Sequence, residues 1–114
     1  MEQFVPQVTR EDIDRVLRRD FATEHHDELR ALIEAIQVIE KHRVILGCMK
    51  NAGGDVDKLK RNLGEATGYY REILLEAEYP NYAKKWSRFD KLSEAERRKI
   101  VEKDKNQYLA WLNR

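Results

Sequence analysis

Long apolar runs are missing from this sequence, and with them most routes into a membrane. No stretch approaches the roughly 18 residues that a bilayer-spanning helix needs. The start, MEQFVPQVTRED, has no basic segment followed by an apolar one, so a soluble, cytoplasmic chain is expected. Cysteine is nearly absent too. The single Cys48 excludes an internal disulfide, and its setting, VILGCM, favours a buried, inert thiol over a reactive one. Two prolines and five glycines in 114 residues leave little room for loops. A length of 114 residues is enough for one domain with a real core, and too short for a catalytic domain beside a regulatory one.

What is present is charge and helical spacing. Charged residues make up 38% of the chain and hydrophobic ones 41%, the balance of salted helices around a core. Net charge is only +1, but it is unevenly spread. Residues 1–57 hold 8 Lys/Arg against 12 Asp/Glu, a net of −4, and residues 58–114 hold 14 against 9, a net of +5. The basic excess lies late in the chain.

The clearest helix is DVDKLKRNLGEATGYYREILLEAEYP, residues 55–80. Val56, Leu59, Leu63, Ala66, Tyr70, Ile73 and Ala77 recur at alternating gaps of three and four, which holds them on one face for about six turns. Asp55 suits the N-cap after the Gly53-Gly54 stop, and Pro80 cannot extend the ladder. This long helix, about 55–79, is expected to be the spine of the core.

Other helices read out around it. Residues 1–8 are a lead-in whose Phe4 and Val5 are placed to tuck against the body. Thr9 with Glu11 and Asp12 opens a helix over about 10–21, with Ile13, Val16, Leu17 and Phe21 inward and Arg15, Arg18 and Arg19 in solvent. The stretch 24–51 contains no Gly or Pro before Gly47, but its apolar phase drifts. A break near Ile39 to His42 is therefore expected, giving helices over about 24–39 and 42–51. Ser93 and Glu96 form a capping box for a last helix over about 94–113. With no alternation of period two, the fold class is all-α, a bundle of about five helices in a single domain.

The segments AGGDVDKL, YYREILLEAEYP and QYLAWLNR together resemble a class of small bacterial proteins of unassigned function. In these a Gly-Gly-Asp turn leads into a long helix ending in an Ala-Glu-Tyr-Pro signature. The resemblance spans residues 42–114 and implies a bacterial helical domain; it carries no activity.

Candidate chemistry is sparse. His25-His26-Asp27-Glu28 has metal-binding residue types, but neighbouring helical residues diverge by about 100°, so a solvated first turn is the plainer reading. His42 stands alone. Ser87 and Ser93 read as loop and cap, and Cys48 has no activating neighbour. Gly53-Gly54-Asp55 lacks the remaining glycines and the lysine of a P-loop. No catalytic residue, metal ligand or cofactor site is assigned.

Two stretches point to binding. Gly64 and Gly68 form a GxxxG step on the long helix, expected to let a neighbouring helix or ring approach closely. Beside it, Tyr69 with Tyr79 and Tyr82 makes a candidate interaction surface for a protein partner or a second copy, tyrosine being suited to half-wet contacts. The alternative is that these tyrosines merely rim the core. The second stretch is Lys84, Lys85, Trp86 and Arg88, cations mixed with an aromatic ring, as in nucleic-acid binders or a surface for an acidic partner. The expected function is a protein-interaction or self-associating helical module. Nucleic-acid binding through residues 84–89 is the alternative, and a small-ligand or enzymatic role is the third possibility.

Overall fold

In a computed structural model, residues 4–114 are described, and they form six α-helices without a strand. These are α1 (Arg10–Asp20), α2 (His26–Ala35), α3 (Lys41–Ala52), α4 (Val56–Glu78), α5 (Pro80–Lys85) and α6 (Glu94–Leu112). Short 3-10 turns at Thr23–His25 and Trp86–Lys91 lead into α2 and out of α5. The all-α reading holds, with one helix more than expected. Pro80 ends α4 as anticipated, then opens α5 from its first-turn position, where its missing N–H costs nothing.

The long helix α4 buries its expected stripe. Leu59, Leu63, Ala66, Ile73 and Ala77 face the core, and Val56 and Tyr70 pack partly against it. Asp55 caps it by accepting from the Lys58 amide at 3.0 Å. The helix is not straight. Tyr69 has φ −123° and ψ 28°, a kink one residue after Gly68, where the helix has no side chain to stiffen it.

Its main partner is α3, in which every residue from Val44 to Met49 is buried. A helical stretch apolar on all sides, as α3 is over these six residues, belongs at the centre of the molecule. The close approach expected at Gly64 and Gly68 occurs here instead: a Cβ on Gly47 would lie 3.1 Å from Ile73 Cγ2 and 3.5 Å from Ala77 Cβ. A Cβ on Gly64 or Gly68 would meet nothing within 4 Å. Those two glycines sit on the outward face of α4, because the stripe that buries Leu63 and Ala66 turns them to solvent.

The remaining expectations divide. The break between α2 and α3 exists, but α2 stops at Ala35, and Ile36 to Glu40 form a non-helical connector that presses Ile36 and Val38 against the core. Glu40 takes φ +53° at the start of α3, a left-handed conformation uncommon for a non-glycine residue. The arginines of α1 are not all in solvent. Arg15 Nη1 and Arg19 Nη1 both donate to the Leu112 carbonyl, satisfying the C-terminus of α6 where the helix dipole favours cations. Nor is His26 solvated: it is buried, with Nε2 2.6 Å from the Phe21 carbonyl.

Candidate interaction site

The tyrosine surface does not form one face. Tyr69 is 59% exposed near the middle of α4, and Tyr79 lies ten residues further on, about 15 Å along the axis. Tyr79 is turned inward, its hydroxyl donating to the Phe4 carbonyl at 2.6 Å. Tyr82 is half-buried and packs edge-on against Phe89 at 4.9 Å between centroids. Gly64, Gly68 and Tyr69 remain outward and unpartnered within the described chain.

The basic segment, by contrast, is brought together. Lys84 and Lys85 close α5, and Trp86, Ser87, Arg88 and Lys91 follow on the 3-10 turn, all exposed. Trp86 is 69% exposed, more than any other large apolar side chain among the described residues. None of Lys84, Lys85, Arg88 and Lys91 forms an ion pair among the described residues. Phe89, not Trp86, is the half-buried plug of this segment.

Sequence reading missed the buried charges. Glu78, on the last turn of α4, is 0% exposed and receives two hydrogen bonds from Arg43 of α3, at 2.7 and 2.8 Å. This bidentate pair raises the pKa of the Arg43 guanidinium further above its ordinary range, through the hydrogen bond to Glu78. The Tyr79 hydroxyl is 3.5 Å from Arg43 Nη2, and burial pushes it up to about 12. Tyr108 is buried alongside, and its hydroxyl has no hydrogen-bond partner among the described residues. The available signal in the sequence is Arg43 itself, a charge at the edge of the apolar run from Val44 to Met49.

Asp104 of α6 is the second such group, 2% exposed. Its carboxylate accepts from the backbone N–H groups of Asn81 (2.8 Å) and Tyr82 (3.1 Å), and from the Asn81 side-chain amide (2.8 Å). It is an N-cap supplied to α5 by another helix, answering two of the donors that every helix start leaves open. Nothing local marks it, because the pairing joins residues more than twenty apart.

Nucleophilic chemistry finds no support. Cys48 is fully buried, and burial pushes its thiol from the ordinary 9.0 up to about 12. Ser93 caps α6, its hydroxyl accepting from the Glu96 amide at 3.1 Å. A shallow cleft of about 230 Å³ between α1, α2 and the start of α3 has an apolar floor of Ile13, Leu17 and Ile33, with the Arg10–Glu34 ion pair (2.8 Å) at its rim. Among the described residues no group of three or more His, Cys, Asp or Glu could hold a metal ion, and no helix is long and apolar enough to cross a membrane.

No family model matches the chain, and neither a curated protein nor a solved structure does. The site therefore rests on its own geometry.

Proposed function

We propose that this protein is a protein-interaction module that docks an acidic partner on the segment from Lys84 to Lys91. The observation that carries this is the exposure of Trp86 amid four cations that form no ion pair among the described residues. An indole left in water costs free energy that burial in a partner would recover, and tryptophan and arginine dominate the energetics of protein interfaces. The late basic excess is concentrated here, and the capping role of Asp104 removes one more anion from the surface of this half.

An acidic protein fits better than nucleic acid. The net charge of +1 supplies no broad positive field, and Asp90 within the segment, with Glu94 and Glu96 beyond it, interrupts the continuous positive stripe that a phosphate backbone would follow. The acidic half of a second copy has the right sign to be that partner. Stacking of bases on Trp86 keeps a nucleic-acid reading in play as an outcome of the test.

The test is a fluorescence titration of the full chain with a polyglutamate-rich helical peptide and, separately, a single-stranded oligonucleotide, with Trp86→Phe as control. Light scattering gives the oligomeric state. Saturable peptide binding, or a dimer, that Lys84→Glu and Lys85→Glu abolish supports the proposal. Oligonucleotide binding that weakens steeply with salt, without peptide binding or a dimer, transfers the segment to nucleic acid.

A further inference from the structure

The segment that carries Trp86 is attached to the molecule unlike any other. No residue of α5 or of the Trp86–Lys91 turn is buried. The chain enters it through Tyr79, whose φ of −132° and ψ of 46° interrupt the helical path between α4 and α5. Within it, Tyr82 and Phe89 pack edge-on and give it a small apolar pair of its own. Apart from the Ala83 amide, which donates to the Tyr79 carbonyl at the entry, the hydrogen bonds that hold it to the body lead to α6: three to the Asp104 carboxylate, and one from the Asn81 amide to Gln107 Oε1 at 3.1 Å.

We infer that Pro80–Lys91 is an arm hinged at Tyr79 and latched by the Asp104 carboxylate, which fixes the direction in which Trp86 and its cations are presented. The inference rests on the docking role proposed for that segment. Asp104 touches no partner in it; it is a positioning residue, acting through the first turn of α5. A carboxylate accepting two backbone N–H groups and an amide is a strong and directional tie. Burial of Asp104 excludes the water that would compete for those bonds. An element with no buried side chain, held mainly by one such tie, opens at a lower free energy than the packed α3–α4 pair.

The body also faces Asp104 with charge. Lys50 of α3, half-buried and with its pKa lowered by that burial, has Asp104 and Glu76 as the carboxylates that act on it. It forms no ion pair with the latch.

Native-state hydrogen exchange on the full chain tests this directly. The amides of residues 81–91 should exchange through an opening that leaves α3 and α4 protected. Asp104→Asn should speed their exchange at least about tenfold, while the urea midpoint of the body shifts little. The same variant should bind the polyglutamate peptide more weakly although Trp86 and every cation remain. If Asp104→Asn alters the whole protein, Asn81→Ala, which removes the side-chain bonds to Asp104 and Gln107 and leaves the two backbone ones, gives the same local readout. Exchange of residues 81–91 only through global unfolding, or exchange unchanged in both variants, overturns the latch. Faster local exchange in a protein that never binds the peptide leaves the latch standing and removes the docking reading instead.

Discussion

The α3–α4 pair and the arm from Pro80 to Lys91 are built on opposite terms. In the pair, Gly47 admits Ile73 and Ala77 to near-contact, and Arg43, half-buried, engages both oxygens of the fully buried Glu78 carboxylate. In the arm nothing is buried, the cations have no ion pair among the described residues, and a single carboxylate from α6 holds the start of the helix. The pair spends its side chains on stability. The arm leaves them available, as the proposed docking role requires.

The contrast can be broken most forcefully at the buried ion pair. Glu78→Ala leaves Arg43 without its carboxylate and should cost about 3–5 kcal/mol in urea unfolding, whereas replacing both residues with methionine should recover most of the loss. A core that tolerates Glu78→Ala at under 1 kcal/mol would show that water reaches Arg43 and replaces the carboxylate.

Alkaline pH should reach the same core. Cys48 and Tyr79 keep their protons in the folded state up to about 12, above the ordinary 9.0 and 10.0. Between pH 9 and 12 the unfolded chain therefore binds fewer protons than the folded one, and stability falls as pH rises. Cys48 alone should remove about 1.4 kcal/mol per pH unit, read from urea midpoints. Native Cys48 should also resist a thiol reagent at pH 8 that modifies it readily in urea.

The glycines sharpen the comparison with opposite signs. Gly47→Leu overfills the α3–α4 contact and should destabilise by about 1–3 kcal/mol. Gly64→Ala meets nothing within 4 Å and should stabilise by up to about 1 kcal/mol, through helix propensity alone. Equal effects at the two sites would mean that the outward face of α4 is covered in solution.

The smallest effect on stability belongs to the arm. Trp86→Ala should change the unfolding midpoint by no more than about 0.5 kcal/mol, yet it should weaken binding of the acidic peptide more than tenfold. A large stability loss would make Trp86 part of the core.

Much of the helical plan was readable in the chain. Leu59, Leu63 and Ala66 follow the helical period, and Asp55 and Ser93 cap as their types predict, because these are interactions between residues three or four apart. The Gly-Gly-Asp turn has the same explanation: Gly53 is the left-handed C-cap of α3 and Asp55 the N-cap of α4. The candidate site was legible in part. The cations around Trp86 form one exposed cluster, but Tyr69, Tyr79 and Tyr82 go to three different surroundings, since residue type alone does not say which way a hydroxyl turns.

By itself, the sequence determined the helices, their caps and the inward stripes, all of which depend on neighbours along the chain. Only the tertiary structure decided that Gly47 rather than Gly64 lies at the helix crossing, that Arg15 and Arg19 close the end of α6, that Glu78 takes Arg43, and that Asp104 caps α5. Each of these joins side chains far apart in sequence. Their pairing follows from how the apolar stripes dock, and no local period records it.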